Sequence, residues 1–371
     1  MSDAELQALV RQVLWAGFAV GAAFGAIAQR THFCTMGAVA DVVNIGDWTR
    51  VRMWALAVGV AMLGFNGMVA AGWVKASASA YAVPEWLWMS HAVGGVMFGF
   101  GMVLASGCGS KTLVRMGAGN LKSLAVFFVL GVSGFATLKG ITAVLRVNTV
   151  DRLALNLPPG QDLPSLAAAA FGGSAATHAL WLGAALGGAL LVWALRKAEG
   201  RSPDVLLGGL GLGALVVAGW WVSGRMGHLI EHPQTLDEVF LATNSRRMES
   251  LSFVAPYAYL LDDLMYFSDQ SKALTFGVAT LLGVVVGSGV TALATGSFRW
   301  EGFRGVEDTA NHLVGAVLMG VGGVTAVGCT IGQGLSGLST LSLGSFVAVA
   351  AIVAGALLAL RWQVWRLERS A

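Results

Sequence analysis

Three cysteines, Cys34, Cys108 and Cys329, stand far apart in the chain, each in a short stretch of small and polar residues within apolar surroundings. The stretches read QRTHFCTMGAV at 29–39, GCGSKTL at 107–113 and GCTIGQGLSG at 328–337. None holds a CxxC pair, and an odd count excludes a complete disulfide framework. Without HxxxH spacing a zinc site is also a poor fit, so no metal and no other cofactor is expected. A neutral thiol is a weak hydrogen-bond donor on a soft, polarizable atom. It suits contact with a soft sulfur-containing anion and buries no formal charge, whereas a thiolate would repel the same ion. Largely protonated thiols are therefore expected, with transient persulfide chemistry as an option. The competing reading is that cysteine serves as a small apolar filler of buried helices.

The neighbours of the cysteines sharpen this. Glycine beside Cys108 and Cys329 implies that a helix unwinds there, because glycine takes backbone conformations other residues avoid. A second helix then starts just beyond, and the free amides at its start carry partial positive charge that suits an anion. Lys111 and Arg115, four apart on one helical face, either attract an anion or anchor the chain at an aqueous face. Gln333, Thr112 and Thr330 offer neutral hydrogen bonds or pack. His91 and His312 read as residues that cap or pack at helix starts. No Ser-His-Asp set, phosphate-cradling loop or paired carboxylate lies in an apolar segment. That weighs against an enzyme, against ATP use and against carboxylate-based proton coupling.

The elements that must position these residues are membrane helices. Of 371 residues, 56% are hydrophobic and 12% charged, about half the charge of a soluble domain. The 51 glycines fall largely within apolar runs, where they let helix backbones approach closely. A net charge of +3 gives no argument for nucleic acid, and no removable signal peptide is evident. The reading is an all-α integral membrane protein with about nine spanning helices, roughly 11–28, 53–75, 90–107, 122–145, 166–195, 204–223, 272–296, 310–328 and 341–361. Short re-entrant helices follow the cysteines, and an interfacial or partly re-entrant helix is expected in 249–267. The whole chain, 1–371, reads as one transport domain. Its parts are a first repeat at roughly 11–145, connecting helices at 166–223, an outer loop at 224–271 and a second repeat at 272–361.

Alternating spans place Arg30, Arg50, Lys111, Arg115, Lys122, Arg299, Arg304 and Arg366 on one face, while the long loop at 224–271 is acidic. The positive-inside rule makes the first face cytoplasmic, with the amino terminus periplasmic and the carboxyl terminus cytoplasmic. An internal match supports two halves. HAVGGVMFGFGMVLASGCG at 91–109 aligns without gaps to HLVGAVLMGVGGVTAVGCT at 312–330, pairing His91 with His312 and Cys108 with Cys329 at an offset of 221. A weaker match joins 17–33 to 283–299. The two strong segments cross in opposite senses, so the repeat is inverted and flanks a central site. Under this topology Cys329 is approached from outside and Cys34 lies inside. Cys108 sits between them, giving a ladder of thiols.

At these motifs the sequence resembles the YeeE/YedE-type sulfur-transport membrane proteins. The resemblance is carried by Phe33-Cys34-Thr35-Met36-Gly37-Ala38, Gly107-Cys108-Gly109 and Gly328-Cys329-Thr330-Ile331-Gly332-Gln333-Gly334-Leu335. It extends over essentially the whole chain. It implies a pseudo-symmetric bundle in the bacterial inner membrane, with three cysteines lining a path for thiosulfate. It also implies that imported sulfur passes to a separate TusA-like cytoplasmic carrier. The alternative is a membrane sulfurtransferase that relays only the outer sulfur as a cysteine persulfide.

Overall fold

In hydrocarbon an apolar run satisfies its backbone by coiling into a helix. The structure, a computed structural model describing residues 2–269 and 273–370, is built almost wholly this way. The first part contains α1 (Asp3–Thr31), α2 (Thr35–Ile45), α3 (Thr49–Ala70), α4 (Trp88–Leu104), α5 (Gly109–Gly117), α6 (Leu121–Lys139) and α7 (Ile141–Asn148). The second contains α8 (Leu163–Phe171), α9 (Ala175–Leu195), α10 (Pro203–Trp221), α11 (Val254–Met265), α12 (Phe276–Ala294), α13 (Val306–Thr325) and α14 (Leu343–Ser370). Two tiny antiparallel ribbons, Glu85–Trp86 with Leu155–Asn156 and His228–Leu229 with Val239–Phe240, tie loops together.

Among the described residues, eight helical stretches are long and apolar enough to cross a bilayer. Here α1 with α2, and α4 with α5, each count as one stretch. The expected span at 310–328 corresponds to α13, which is 20 residues long. It falls outside the eight because its first two turns carry Glu307, Asp308, Asn311 and His312. The expected segment at 166–195 is two helices. Gly172 and Gly173 take positive φ of 78° and 86°, and Ser174 caps α9 by accepting from Thr177 N. The segment at 122–145 likewise breaks at Gly140, and the one at 53–75 ends its helix at Ala70. The first helix starts earlier than expected because Ser2 and Glu5 form a reciprocal capping box. The start of the seventh span at 272 and the end of the outer loop at 270–271 lie outside the described residues.

Glycine faces set how closely these helices approach, and their contacts fix direction. A Cβ on Gly94 would lie 2.6 Å from Gly322 O, and one on Gly101 would lie 2.7 Å from Gly315 O. Helices α4 and α13 therefore run antiparallel. Adding the 221-residue offset turns the first contact into the second, so the two aligned segments exchange places across this crossing. Their histidines also match: His91 Nδ1 lies 2.6 Å from Leu87 O and His312 Nδ1 lies 2.7 Å from Asp308 O.

Elsewhere Gly21 meets Thr280 and Gly25 meets Val284, so α1 and α12 run parallel. Gly95 meets Ala348 and Gly99 meets Ile352, making α4 and α14 parallel too. The first and seventh expected segments thus share one sense, and the third and ninth share a sense opposite to that of the eighth. Large apolar side chains such as Val132, Trp181, Val290 and Leu358 project from the outside of the bundle.

The 224–275 region is ordered by its own contacts. Helix α11, inside the stretch expected to be interfacial, packs against α6 and α12. Glu249 precedes it, its carboxylate accepting from Ser245 N at 2.9 Å and Ser245 Oγ at 2.5 Å. Enclosure still pushes this carboxyl above the usual carboxylate range.

Two outcomes follow. Gly322→Val places side-chain atoms where Phe98 N and Gly94 O already lie, a change of the kind that costs about 1–3 kcal/mol or more. Its thermal midpoint should fall clearly below that of Gly188→Ala, where a Cβ meets nothing within 4 Å. The raised folded-state pKa of Glu249 means its favourable contribution is present at acidic pH and lost as pH rises through that value. Glu249→Gln should therefore flatten the decline of the thermal midpoint between pH 5 and pH 8. Parallel midpoint–pH curves for parent and variant would refute this.

Candidate functional site

Each cysteine sits at the same place in the same local structure. Helix α1 ends at His32 in the left-handed conformation, φ 54°; Phe33 follows, and Cys34 is the N-cap of α2. Helix α4 ends with Ser106 at φ 55°, and Cys108 is the N-cap of α5. Helix α13 ends with Val327 at φ 57°, and Cys329 precedes a π-helical turn at Gly332–Gly337. In all three the left-handed residue is a non-glycine two positions before the cysteine. Such a residue costs on the order of 1–3 kcal/mol and persists only where its surroundings enforce it.

The enforcement is visible at the breaks after α4 and α13. Gly107 N donates to Met102 O at 2.8 Å and Ser106 N to Val103 O at 3.1 Å. Gly328 N donates to Gly323 O at 2.8 Å and Val327 N to Val324 O at 3.0 Å. This paired pattern closes a helix end and satisfies its last carbonyls. The sequence placed the unwinding on the glycines at the cysteines. In the structure the left-handed turn at the second break falls on Ser106, and Gly107 instead leaves room for the stem of Lys111.

Beyond each break the next amides turn toward sulfur. Cys34 Sγ accepts from Gly37 N at 3.4 Å and Cys329 Sγ from Gly332 N at 3.3 Å. The Lys111 amide faces the Cys108 thiol. The Phe253 and Ile331 amides also face Cys329. All three thiols are buried and stand where helix starts concentrate partial positive charge.

Tertiary packing brings the three breaks together. The Cys34 and Cys108 thiols lie beside each other. The Thr330 hydroxyl, adjacent in sequence to Cys329, stands beside the Cys108 thiol without an aligned hydrogen bond. Cys108 Sγ also contacts Ser110 Oγ at 3.3 Å. Tyr257 of α11 donates its hydroxyl to Gly109 O at 2.6 Å and is buried close to Cys108 and Cys329. No sequence motif marked Tyr257; its place in the apolar, aromatic stretch 249–267 of an otherwise acidic loop is the sequence signal near it.

The remaining expected residues take distinct places. Gln333 is fully buried and spans its break: Nε2 donates to Ala326 O at 2.6 Å, and Oε1 accepts from Ser345 Oγ at 2.6 Å. Thr112 donates to Cys108 O at 3.1 Å. Lys111 and Arg115 line a cavity of about 500 Å³ at one end of the bundle, together with Lys122, Arg299 and Arg304. Glu301 and Asp308 are its acidic members, and Lys122 pairs with both, at 3.6 Å and 2.9 Å. Arg115 Nη1 donates to Ser106 O at 2.7 Å, fastening the second break from this side.

The cavity reaches His32 and Ser106, the left-handed residues of the first two breaks. A second cavity, about 120 Å³, lies at the opposite end of α12 and is lined by Tyr81, Glu249, Ser252 and Val327. Val327 belongs to the third break. Among the described residues, no group of three or more His, Cys, Asp or Glu side chains is placed to hold a metal.

The Cys34–Cys108 pair, Thr330 and Cys329 thus lie buried between a basic cavity past one end of α12 and a smaller cavity at its other end. The thiosulfate transporter TsuA of Escherichia coli (strain K12) is 27% identical over 328 residues, 87% of each chain. The thiosulfate transporter TsuA of Spirochaeta thermophila is 25% identical over 345 residues, covering 91% of this chain and 94% of the relative. The profile of a family described as sulphur transport matches residues 30–358. With nearly the full chain matched and eight apolar helices of spanning length, this multi-pass membrane protein belongs to the YeeE/YedE sulphur-transport family.

Proposed function

We propose that this protein imports thiosulfate across the bacterial inner membrane along a path lined by Cys34, Cys108 and Cys329. The observation that supports this reading is the order in which neighbouring buried groups follow one another. It runs from the cavity at Val327, past Cys329 and Thr330, to the Cys108–Cys34 pair, and on to the basic cavity. The relatives named as thiosulfate transporters support the choice of ion. At each station a protonated thiol presents its hydrogen and its polarizable sulfur, while helix-start amides supply positive potential. The ion then passes without meeting a buried formal charge of its own sign.

Nine spans place the amino terminus in the periplasm and the carboxyl terminus in the cytoplasm, with α13 as the eighth. The antiparallel α4–α13 crossing supports an inverted repeat. The two repeat-related breaks then approach the central site from opposite faces, as alternating access requires. On the cytoplasmic side Lys111, Arg115, Arg299 and Arg304 draw the ion off the thiols. There the outer sulfur of the ion passes to the thiolate of a separate TusA-like carrier, with sulfite as the leaving group.

The test is uptake of thiosulfate labelled separately at each sulfur, in cells lacking other importers. Parent, Cys34→Ala, Cys108→Ala and Cys329→Ala are compared at matched expression. Both labels should enter with the parent at equal rates, and each cysteine change should lower entry at least about tenfold, the loss expected when a contact to a charged group is removed. Entry of the outer sulfur alone would replace transport of the whole ion with a sulfur relay. No entry with the parent would remove thiosulfate as the substrate.

A further inference from the structure

Two loops at the end of the bundle away from Lys111 and Arg115 gather cations that the sequence keeps far apart. Met248 N donates to Ala78 O at 3.0 Å and Ala80 N to Met248 O at 3.2 Å, with Met248 itself buried. Arg247 Nη1 adds a bond to Ser77 O at 3.1 Å. Through this short parallel pairing Lys75, from the stretch after α3, lines one cavity of about 480 Å³ with Arg246 and Arg247 of the outer loop. An adjoining cavity of about 270 Å³ shares Lys75 and adds Arg225.

The outer loop is acidic in composition, yet its acids are engaged elsewhere. Glu238 is the one acid lining either cavity, and His228 Nε2 lies 2.7 Å from its carboxylate. Glu249 accepts from Ser245 N and Ser245 Oγ and lines the 120 Å³ cavity instead. Cations held together with their one acid already engaged repel one another, and a divalent anion relieves that repulsion. Arg246 also holds a left-handed φ of 54°. A non-glycine residue takes that conformation at a cost, and such residues cluster at ligand sites.

Position points the same way as charge. Ser245 lines the basic cavity, while its neighbour Asn244 and its partner Glu249 line the 120 Å³ cavity, so the two share a wall. The smaller cavity reaches Val327, two residues before Cys329. The cations therefore stand where the proposed path begins, at the opposite end from the cavity of Lys111 and Arg115.

We infer that Lys75, Arg246 and Arg247 form an outer capture site for a small divalent oxyanion, where thiosulfate is held before it reaches Cys329. The inference rests on the proposed import of thiosulfate and adds a binding site at its entrance. The planar fork of an arginine pairs with two oxygens of such an ion, and a lysine adds a point charge. Exposed cations raise the local concentration of the ion yet hold it weakly enough to release it. This site reads charge and oxygen and leaves sulfur to the thiols, so sulfate occupies it as well as thiosulfate does.

The experiment measures uptake of labelled thiosulfate over a range of concentrations, in cells lacking other importers and at matched expression. Lys75→Gln, Arg246→Gln and Arg247→Gln should each raise KM about three- to fivefold, the range of a contact between exposed charges. Vmax should stay unchanged, because the path beyond the site is intact. In the parent, uptake at low thiosulfate should weaken as sodium chloride is added at constant osmotic pressure; the triple variant should lose most of that dependence. External sulfate should compete with thiosulfate in the parent and much less in the triple variant. Arg11→Gln, which removes an exposed cation of α1 that lines neither cavity, should leave KM unchanged. If Arg247→Gln fails to fold for want of its bond to Ser77 O, Lys75→Gln and Arg246→Gln carry the comparison. An unchanged KM in those two, a loss confined to Vmax, or an equal rise in KM for Arg11→Gln overturns the capture site and leaves the proposed import standing. A parent that takes up no thiosulfate removes both.

Discussion

The structure turns on one constraint: a helix interrupted away from water must still satisfy the backbone groups at both new ends. Three such interruptions stand at the cysteines. At the two breaks after α4 and α13 the carbonyl ends are closed by paired hydrogen bonds around a left-handed Ser106 or Val327. The amide ends are closed only in part. A thiol is a weak acceptor, so the amides facing Cys34, Cys108 and Cys329 keep most of their positive potential. The arrangement resembles an ordinary helix cap with the usual oxygen replaced by sulfur, which leaves the helix start electrostatically available to an incoming anion.

Three such ends act together only if the helices bearing them come unusually close. Glycine makes this possible. The α4–α13 crossing brings Gly94, Gly101, Gly315 and Gly322 backbone to backbone, and α1 meets α12 in the same way through Gly21, Gly25, Gly283 and Gly287. In a membrane, where lipid is as apolar as leucine, close backbone approach is a main source of association between helices. The glycine rows therefore serve stability and function at once: they hold the bundle together and draw the breaks to one locus. Tyr257 completes that locus from α11, bonding to the backbone of the second break from a segment outside the aligned repeats.

Charge is distributed by depth. Formal positive charge gathers at the rim, where Lys111, Arg115, Lys122, Arg299 and Arg304 share a cavity with Glu301 and Asp308. The centre uses thiols, hydroxyls and amides. A fixed cation at the centre would hold a divalent anion too tightly to release it, and would itself be costly to bury. In the proposed path, neutral donors give moderate attraction at each station, as passage through several sites requires.

Much of this was legible in the residues. Composition and the lengths of apolar runs dictate an all-helical membrane bundle, because a lipid-facing backbone leaves few other ways to pair its polar groups. The Gly-Cys turns mark helix interruptions, and the 221-residue offset links two of them. Pattern alone did not locate the split at Gly172-Gly173, the early start at Ser2 or the weak hydropathy of α13, because these depend on caps and on a few polar residues in one turn. What tertiary structure alone decided is which groups meet. Cys34, Cys108, Tyr257 and Thr330 are spread between positions 34 and 330, and nothing in their spacing says that one hydroxyl stays unpaired while another bonds its own helix. That outcome depends on where each carbonyl points after the chain has turned, a property of the packed breaks rather than of any local stretch.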